Sequence, residues 1–272
     1  MTRSIDFSKH ASIKIGPLAD VYIIEDFDYP KDRYILGHGN NILIGPQHPP
    51  LMMLGKNFDY IKIENGLLCV GGATAGGRVL SFCKKHDIAH FELLPKLPGS
   101  IGGMVKMNAG LKEYEIFNHL HSIITEHGEI LKEDIPHGYR WTDFEGIVFE
   151  ARFEITKGFR EEQLSMFKKM RDNQPDGPSA GSCFKNPDGD AAGRLIQEAG
   201  LKGHRIGDMA FSEQHANFLV NLGDGTFEEA ILLIKLAQQK VFEKFSIWLE
   251  NELIIVDKRY QREDSSLLKQ AL

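Results

Sequence analysis

Along the first part of the chain, apolar residues come in short runs broken by polar or Gly/Pro punctuation. Val21-Tyr22-Ile23-Ile24, Tyr34-Ile35-Leu36, Ile61-Lys62-Ile63 and Leu67-Leu68-Cys69-Val70 read as strands. Residues 75–85 read as a helix, because Val79, Leu80 and Cys83 recur at helical spacing. Over 147–155, Ile147, Phe149, Ala151, Phe153 and Ile155 alternate with Val148, Glu150, Arg152 and Glu154. This predicts a strand with one apolar and one mostly charged face. After Lys157-Gly158 the period changes to that of helices. One is expected over 161–173 with Leu164, Phe167 and Met170 on one side, and another over 191–199, closed by Gly200. Thr226 opens a third, and Glu229 completes a capping box ahead of the stripe Phe227, Ala230, Ile231, Ile234, Ala237, Val241 and Phe245. A last strand is expected over 248–256. The change of pattern sets a boundary near residue 157: two α/β lobes, about 1–60 and 61–157, then a second domain over 158–257 and a polar tail over 258–272.

The chain has 272 residues, 42% of them hydrophobic and 26% charged, which is ordinary for a globular protein. Lys plus Arg number 32 against 38 Asp plus Glu, a formal charge of −6, so no general basic field is present to hold nucleic acid or an anionic membrane. Any anionic ligand must be caught locally. The 3 cysteines, Cys69, Cys83 and Cys183, show neither CxxC spacing nor a disulfide framework, which fits a reducing compartment. Met1 to Phe7 lack the apolar run of a signal peptide, and no stretch approaches ~18 uninterrupted apolar residues. A cytoplasmic globular chain is therefore expected.

Several segments carry candidate chemistry. Gly37-His38-Gly39-Asn40-Asn41 follows a predicted strand; its glycines let backbone approach a ligand, and consecutive N–H groups in such a turn make an anion nest. It is neither a Rossmann fingerprint nor a Walker loop. Leu97-Pro98-Gly99-Ser100-Ile101-Gly102-Gly103 and Met107-Asn108-Ala109-Gly110 form a second tract of mostly small residues, suited to lie against a flat, phosphate-bearing cofactor. Ser179 to Pro187 gathers a hydroxyl, a thiol, a cation and an amide, and Ser182 near Lys185 is placed to donate a proton to carbon. Tyr139-Arg140 precedes the 147–155 strand. Glu250 and Glu252, at i and i+2 of the last predicted strand, point the same way about 7 Å apart. Each has a plainer reading alone: a tight turn, a polar loop, a surface arginine, solvated carboxylates. His215 lacks a second ligand at metal-binding spacing, and His119-Leu120-His121 reads as a solvated strand edge, so no metal is expected.

Taken in order, Lys14-Ile15-Gly16, Gly37 to Asn41, Leu97 to Gly103, Met107 to Gly110, Tyr139-Arg140, Gly181-Ser182-Cys183-Phe184-Lys185-Asn186-Pro187, His215-Ala216-Asn217-Phe218 and Leu249-Glu250-Asn251-Glu252 resemble the UDP-N-acetylenolpyruvoylglucosamine reductase family. The resemblance covers nearly the whole chain. It implies an α+β chain with an FAD-binding fold of the vanillyl-alcohol-oxidase-like (PCMH) type over 1–157 and a C-terminal α/β substrate-binding domain over 158–257. The implied reaction is NADPH-dependent, FAD-mediated reduction of UDP-N-acetylglucosamine enolpyruvate to UDP-N-acetylmuramate, for peptidoglycan and hence cell shape and division. A cytoplasmic monomer without nucleic-acid or membrane partners is implied with it.

By the same resemblance Ser182, Arg140 and Glu252 are catalytic. Gly37, His38, Gly39, Asn40, Asn41, Gly99, Ser100, Gly102, Gly103, Asn108, Ala109 and Gly110 bind FAD, and Tyr139, Arg171, Lys185, Asn186 and His215 bind substrate. The short stretch from Arg140 to Arg171 matches the compact form of the family, without an inserted tyrosine-bearing loop. Departures are Asn40 where Ser is usual, Leu111-Lys112 after Gly110, and Met104 and Lys106, bulky for positions beside a flavin ring. The competing readings are another oxidase or dehydrogenase on the same FAD scaffold, and a cofactor-free nucleotide-binding or scaffold protein.

Overall fold

The computed structural model describes residues 1–95 and 97–260; the last residues of the expected polar tail lie outside them. Its helices are α1 (Phe7–His10), α2 (Gly76–Lys85), α3 (Ile101–Lys106), α4 (Glu161–Met170), α5 (Ala192–Glu198) and α6 (Phe227–Phe245). The chain divides into two compact units. One comprises Met1–Arg3, Val21–His38 and Met52–Asp172; the other takes Ser4–Asp20, Gly39–Leu51 and the chain from Asn173.

The first unit is built on an antiparallel five-stranded sheet in the order Gly128–Leu131, Leu120–Thr125, Glu150–Glu154, Leu67–Gly71, Ile61–Glu64. Ala151 and Phe153 point into the core, as the alternation requires. Val79 and Cys83, one helical turn apart on α2, are wholly buried in the same core with Phe91, Met104, Ile123 and Phe167. A second cluster gathers Ile24, Tyr29, Met52, Phe58, Ile147 and Phe149.

The 147–155 strand is shorter than expected, and its outer face is not uniformly solvated. Residues 147–149 are buried and irregular, because the 72 loop lies on them: Gly72 N–H donates to Phe149 O at 2.7 Å. Glu150 is buried too, its carboxylate accepting from Tyr60 Oη at 2.6 Å and Arg152 Nε at 2.6 Å.

In the second unit, Ser179–Ser182, Phe218–Asn221, Met209–Phe211 and Arg205–Ile206 form an antiparallel sheet in that order. Ile254–Val256 pairs in parallel with Ile42–Ile44. α6 has the capping box read from Thr226 and Glu229, and its stripe is buried apart from Phe245, which is partly covered. Its C-cap is Ser246 at φ 56, in the left-handed region.

The boundary near 157 meets a different partition. α4 belongs to the first unit, with Phe167 edge-on to Tyr114 at 4.9 Å, and the chain changes unit after Asp172. Two N-terminal stretches belong to the second unit because Ala11, Ile13, Ile15 and Leu43 sit in its core. The expected last strand is also corrected: within 248–256 only Ile254–Val256 forms a strand, and Asn251 makes a single antiparallel bridge to Phe184. Cys183 O accepts from both Glu252 N and Leu253 N, a doubled contact that resets the alternation. Glu250 and Glu252 differ in exposure: Glu250 is 75% exposed at its side chain, whereas Glu252 is half-buried.

Candidate active site

In the first unit the two glycine segments meet. A Cβ on Gly37 would stand 3.1 Å from Ser100 Oγ and 3.9 Å from Gly103 Cα. Ser100 caps α3, its hydroxyl accepting from Gly103 N at 3.4 Å, and Gly76 N donates to Gly99 O at 3.0 Å. The tract's neighbouring glycines do different work. Gly102 N donates to Gly72 O, and a Cβ there would come within 3.1 Å of that oxygen and 3.2 Å of Val148 O, so Gly102 permits backbone to pack on backbone. A Cβ on Gly103 meets only Ser100 Oγ, at 3.4 Å, and its remaining side is open. Burial holds the His38 imidazole below its ordinary pKa, although a backbone contact to Ala73 and the Asp59 carboxylate favour the cation.

Asn108 is fully buried at φ 43, and its amide is spent inside the protein. Nδ2 donates to Glu115 Oε2 at 2.8 Å and Gly138 O at 3.0 Å, while Oδ1 accepts from Phe117 N at 3.4 Å. Ala109 is buried, and Gly110 begins a hairpin whose two-residue turn includes Lys112 at φ 54. The Leu111-Lys112 departure is thus the turn of that hairpin. Met104 is in the core, and Lys106 Nζ donates to Phe144 O at 2.6 Å and lies 3.9 Å from its ring. Both bulky side chains have protein partners.

The carbonyls of this tract serve Arg140. Its guanidinium donates to Gly110 O at 2.7 Å and Asn108 O at 3.4 Å, lies 4.8 Å over the Tyr139 ring and stands 3.9 Å from Glu115. Arg140 itself is at φ 62, in the turn between His137–Gly138 and Trp141–Thr142. Arg171 ends α4 and is 4% exposed; burial, and then the charge of Arg140, pull its guanidinium down to about 10. Two arginines held this close make a local positive site suited to an anion.

In the second unit, main-chain bonds set Glu252 beside Cys183, the residue after Ser182. Ser182 ends the strand paired to Phe218–Asn221, with Gly181 at φ 82 and a bulge between Ser179 and Ser182. Cys183 N donates to Asn217 O at 2.7 Å, Glu252 N to Cys183 O at 2.9 Å and Lys185 N to Glu250 O at 2.9 Å. Burial, with Glu252 nearby, pushes the Cys183 thiol far above its ordinary pKa, so it is an inert filler. Lys185 Nζ stands 3.8 Å from Glu250, and Asn186 Oδ1 accepts from Ala192 N at the start of α5.

His215 Nδ1 accepts from Asn217 N at 3.2 Å, and burial holds the ring below its ordinary pKa, so the neutral form with the proton on Nε2 is favoured. Of the 37–41 loop, Gly39 O and Asn40 O accept from Ser12, and Asn41 Nδ2 donates to Glu252 O at 2.9 Å. Among the described residues, no group of three or more His, Cys, Asp or Glu side chains could hold a metal ion.

Sequence reasoning gave no role to three residues. Asn217 uses both ends of its buried amide on Phe184, Oδ1 accepting from its N at 3.0 Å and Nδ2 donating to its O at 2.8 Å. A polar residue inside the apolar run around Phe218 was the available signal. Glu115 beside Arg140 and Asp257 beside Gly45 carry no spacing signal.

Comparison with known proteins follows the same outline. The profile of the UDP-N-acetylenolpyruvoylglucosamine reductase C-terminal domain matches residues 173–256, the second unit's main segment. UDP-N-acetylenolpyruvoylglucosamine reductase of Helicobacter hepaticus is 45% identical, covering 94% of this chain and 99% of that protein. The Campylobacter jejuni protein of that name is 42% identical, covering 93% and 99%. The crystal structure of the Thermus caldophilus enzyme superposes with a TM-score of 0.84 at 28% identity over 94% of this chain and 98% of that one. An FAD-binding fold joined to a second α/β unit, with these relatives, defines a flavin-dependent oxidoreductase. The chain belongs to the UDP-N-acetylenolpyruvoylglucosamine reductase family.

Proposed function

We propose that the chain carries out NADPH-dependent, FAD-mediated reduction of UDP-N-acetylglucosamine enolpyruvate to UDP-N-acetylmuramate in peptidoglycan synthesis. Family membership supports the reaction, and one observation supports the assignment of residues: Glu252 N is bonded to the carbonyl of Cys183, the residue that follows Ser182. FAD is assigned to the 37–41 and 99–103 loops. The backbone at Gly103, open beyond Ser100 Oγ, fits a flat group bearing phosphates, and Gly37 lets the 37–41 loop approach Ser100, where a Cβ would stand 3.1 Å from the hydroxyl. When bound, FAD supplies the hydride chemistry, and NADPH renews it.

This chain's own groups then manage charge and protons. When hydride reaches the terminal alkene carbon, negative charge builds toward a carboxylate that is already anionic. Arg140, held by Gly110 O and Asn108 O, is the fixed cation for that carboxylate; one well-placed donor is worth about 2.7–4 kcal/mol in such a step. Glu252 assists by ordering the array or, protonated, by donating a hydrogen bond. Ser182 passes its hydroxyl proton to the second carbon, and Lys185 stabilises the alkoxide left behind.

Arg171 and Tyr139 extend the anion site, and Lys185, Asn186 and the His215 Nε2–H take the substrate's polar ends. The three free, buried cysteines agree with a reducing cytoplasm, and the chain is taken to act there as a monomer. Among the described residues, no helix is long and apolar enough to cross a membrane.

Anaerobic stopped-flow on Ser182→Ala tests the assignment. Flavin reduction by NADPH should remain nearly intact, while reoxidation by the enolpyruvyl substrate slows severely. Equal slowing of both half-reactions would remove Ser182 from the proton-donor role.

A further inference from the structure

Asp257 is wholly buried, and its carboxylate is saturated with donors. Arg259 Nε reaches Oδ1 at 2.8 Å and Nη2 reaches Oδ2 at 3.0 Å, a two-point charge-assisted pair; the N–H groups of Arg259 and Gln47 add bonds at 3.0 Å each. The Arg259 guanidinium, then these backbone donors, hold the carboxyl down to about 2. Arg259 in turn lies 5.4 Å over the Phe227 ring at the start of α6 and 5.5 Å from the Tyr260 ring.

This clasp sits at the end of a weak element. Among the described residues, Ile254–Val256 and Ile42–Ile44 form an isolated parallel pair three residues long, with no further strand on either side. Such a pair is marginal alone, and a one-residue slip would turn every side chain to the opposite face. Four hydrogen bonds, two at each end, set the register. At one end Ile254 N donates to Asn41 O at 3.1 Å, and Asn41 Nδ2 donates to Glu252 O; at the other, Gly45 N donates to Val256 O at 3.1 Å and Lys258 N to Gln47 O at 3.0 Å. Asp257 ties the second end to the 45–47 turn. Gly45 has no room for a side chain, because a Cβ there would overlap the Asp257 carboxylate.

We propose that Asp257, clamped by Arg259 and seated against Gly45 and Gln47, is a positioning residue for the reductase reaction: it fixes the register of the last strand and, through Asn41, the place of Glu252. The inference rests on Glu252 acting as proposed above. Asp257 is wholly buried while Arg259 keeps 35% of its side chain exposed; a buried carboxylate is costly to desolvate, so its use beside a short apolar strand favours a role in setting register over bulk stability.

The test compares FAD-loaded full-length chains carrying Asp257→Asn, Gly45→Ala, Arg259→Lys or Glu252→Gln by anaerobic stopped-flow. Asp257→Asn removes the charge, Gly45→Ala displaces the carboxylate without changing charge, and Arg259→Lys gives up the planar fork. Asp257→Asn and Gly45→Ala are each expected to slow substrate-driven flavin reoxidation by roughly ten- to a hundredfold, as small misplacements do, with reduction by NADPH unchanged. Arg259→Lys is expected to fall between these and the parent chain. If one variant does not fold, the remaining two carry the same comparison. Lowered thermal stability with both half-reactions changed alike, or with neither changed, would overturn the inference. If Glu252→Gln slows reoxidation while the clasp variants do not, the clasp alone fails. If Glu252→Gln has no effect, the reading of Glu252 fails.

Discussion

Asn217 shows how single residues hold the Ser182 segment in place. Its side chain satisfies both the N–H and the carbonyl of Phe184, and its own carbonyl takes the Cys183 N–H. Truncation leaves two buried backbone groups unpaired, so Asn217→Ala should lower unfolding free energy by roughly 2–4 kcal/mol. Urea unfolding measures this, and a loss below about 1 kcal/mol would mean that water or relaxation replaces those bonds. Residues of this kind are hard to read from a sequence. The family resemblance drew attention to Arg140, Ser182 and Glu252, yet Glu115 beside Arg140 is brought there by a hairpin that no local pattern announces. The pairing of Arg140 with Arg171 likewise depends on where α4 ends.

Elements were legible where local chemistry determines them. Thr226 and Glu229 read as a capping box and form one, and Gly200 follows α5 at φ 78 as a C-terminal stop should. The last strand was not legible, because its break at Leu253 is imposed by the carbonyl of Cys183, far away in the chain. The glycine tract was legible as a tract but not residue by residue. Gly102 faces two carbonyls, whereas Gly103 faces open space past Ser100 Oγ. Gly102→Ala should therefore depress the melting temperature of the FAD-free protein, while Gly103→Ala should leave it near the parent value and weaken FAD binding. Thermal unfolding with a flavin titration separates the two. A Gly103→Ala protein that binds FAD as tightly as the parent would contradict the assignment of that face to the cofactor.

At the scale of the whole molecule, the family resemblance of the ordered motifs implied an FAD-binding fold with a second α/β unit, and the relatives agree. The partition of the chain was less visible. Residues 4–20 and 39–51 carry no feature that ties them to the C-terminal part; they join it by burying Ala11, Ile13, Ile15 and Leu43 with α5 and α6. As a result the 37–41 loop is shared out, Gly37 and His38 counted with one unit and Gly39, Asn40 and Asn41 with the other. The chemistry assigned to the molecule needs both parts: a glycine-lined face with an arginine pair, and a serine with a carboxylate. An anaerobic titration of the purified chain, followed by flavin absorbance, tests that claim most directly. The protein should be yellow, NADPH should bleach it, and stoichiometric UDP-N-acetylglucosamine enolpyruvate should restore the colour without oxygen. A folded preparation that takes up no FAD, or a bleached one whose colour returns with oxygen but not with the enolpyruvyl sugar nucleotide, would contradict it.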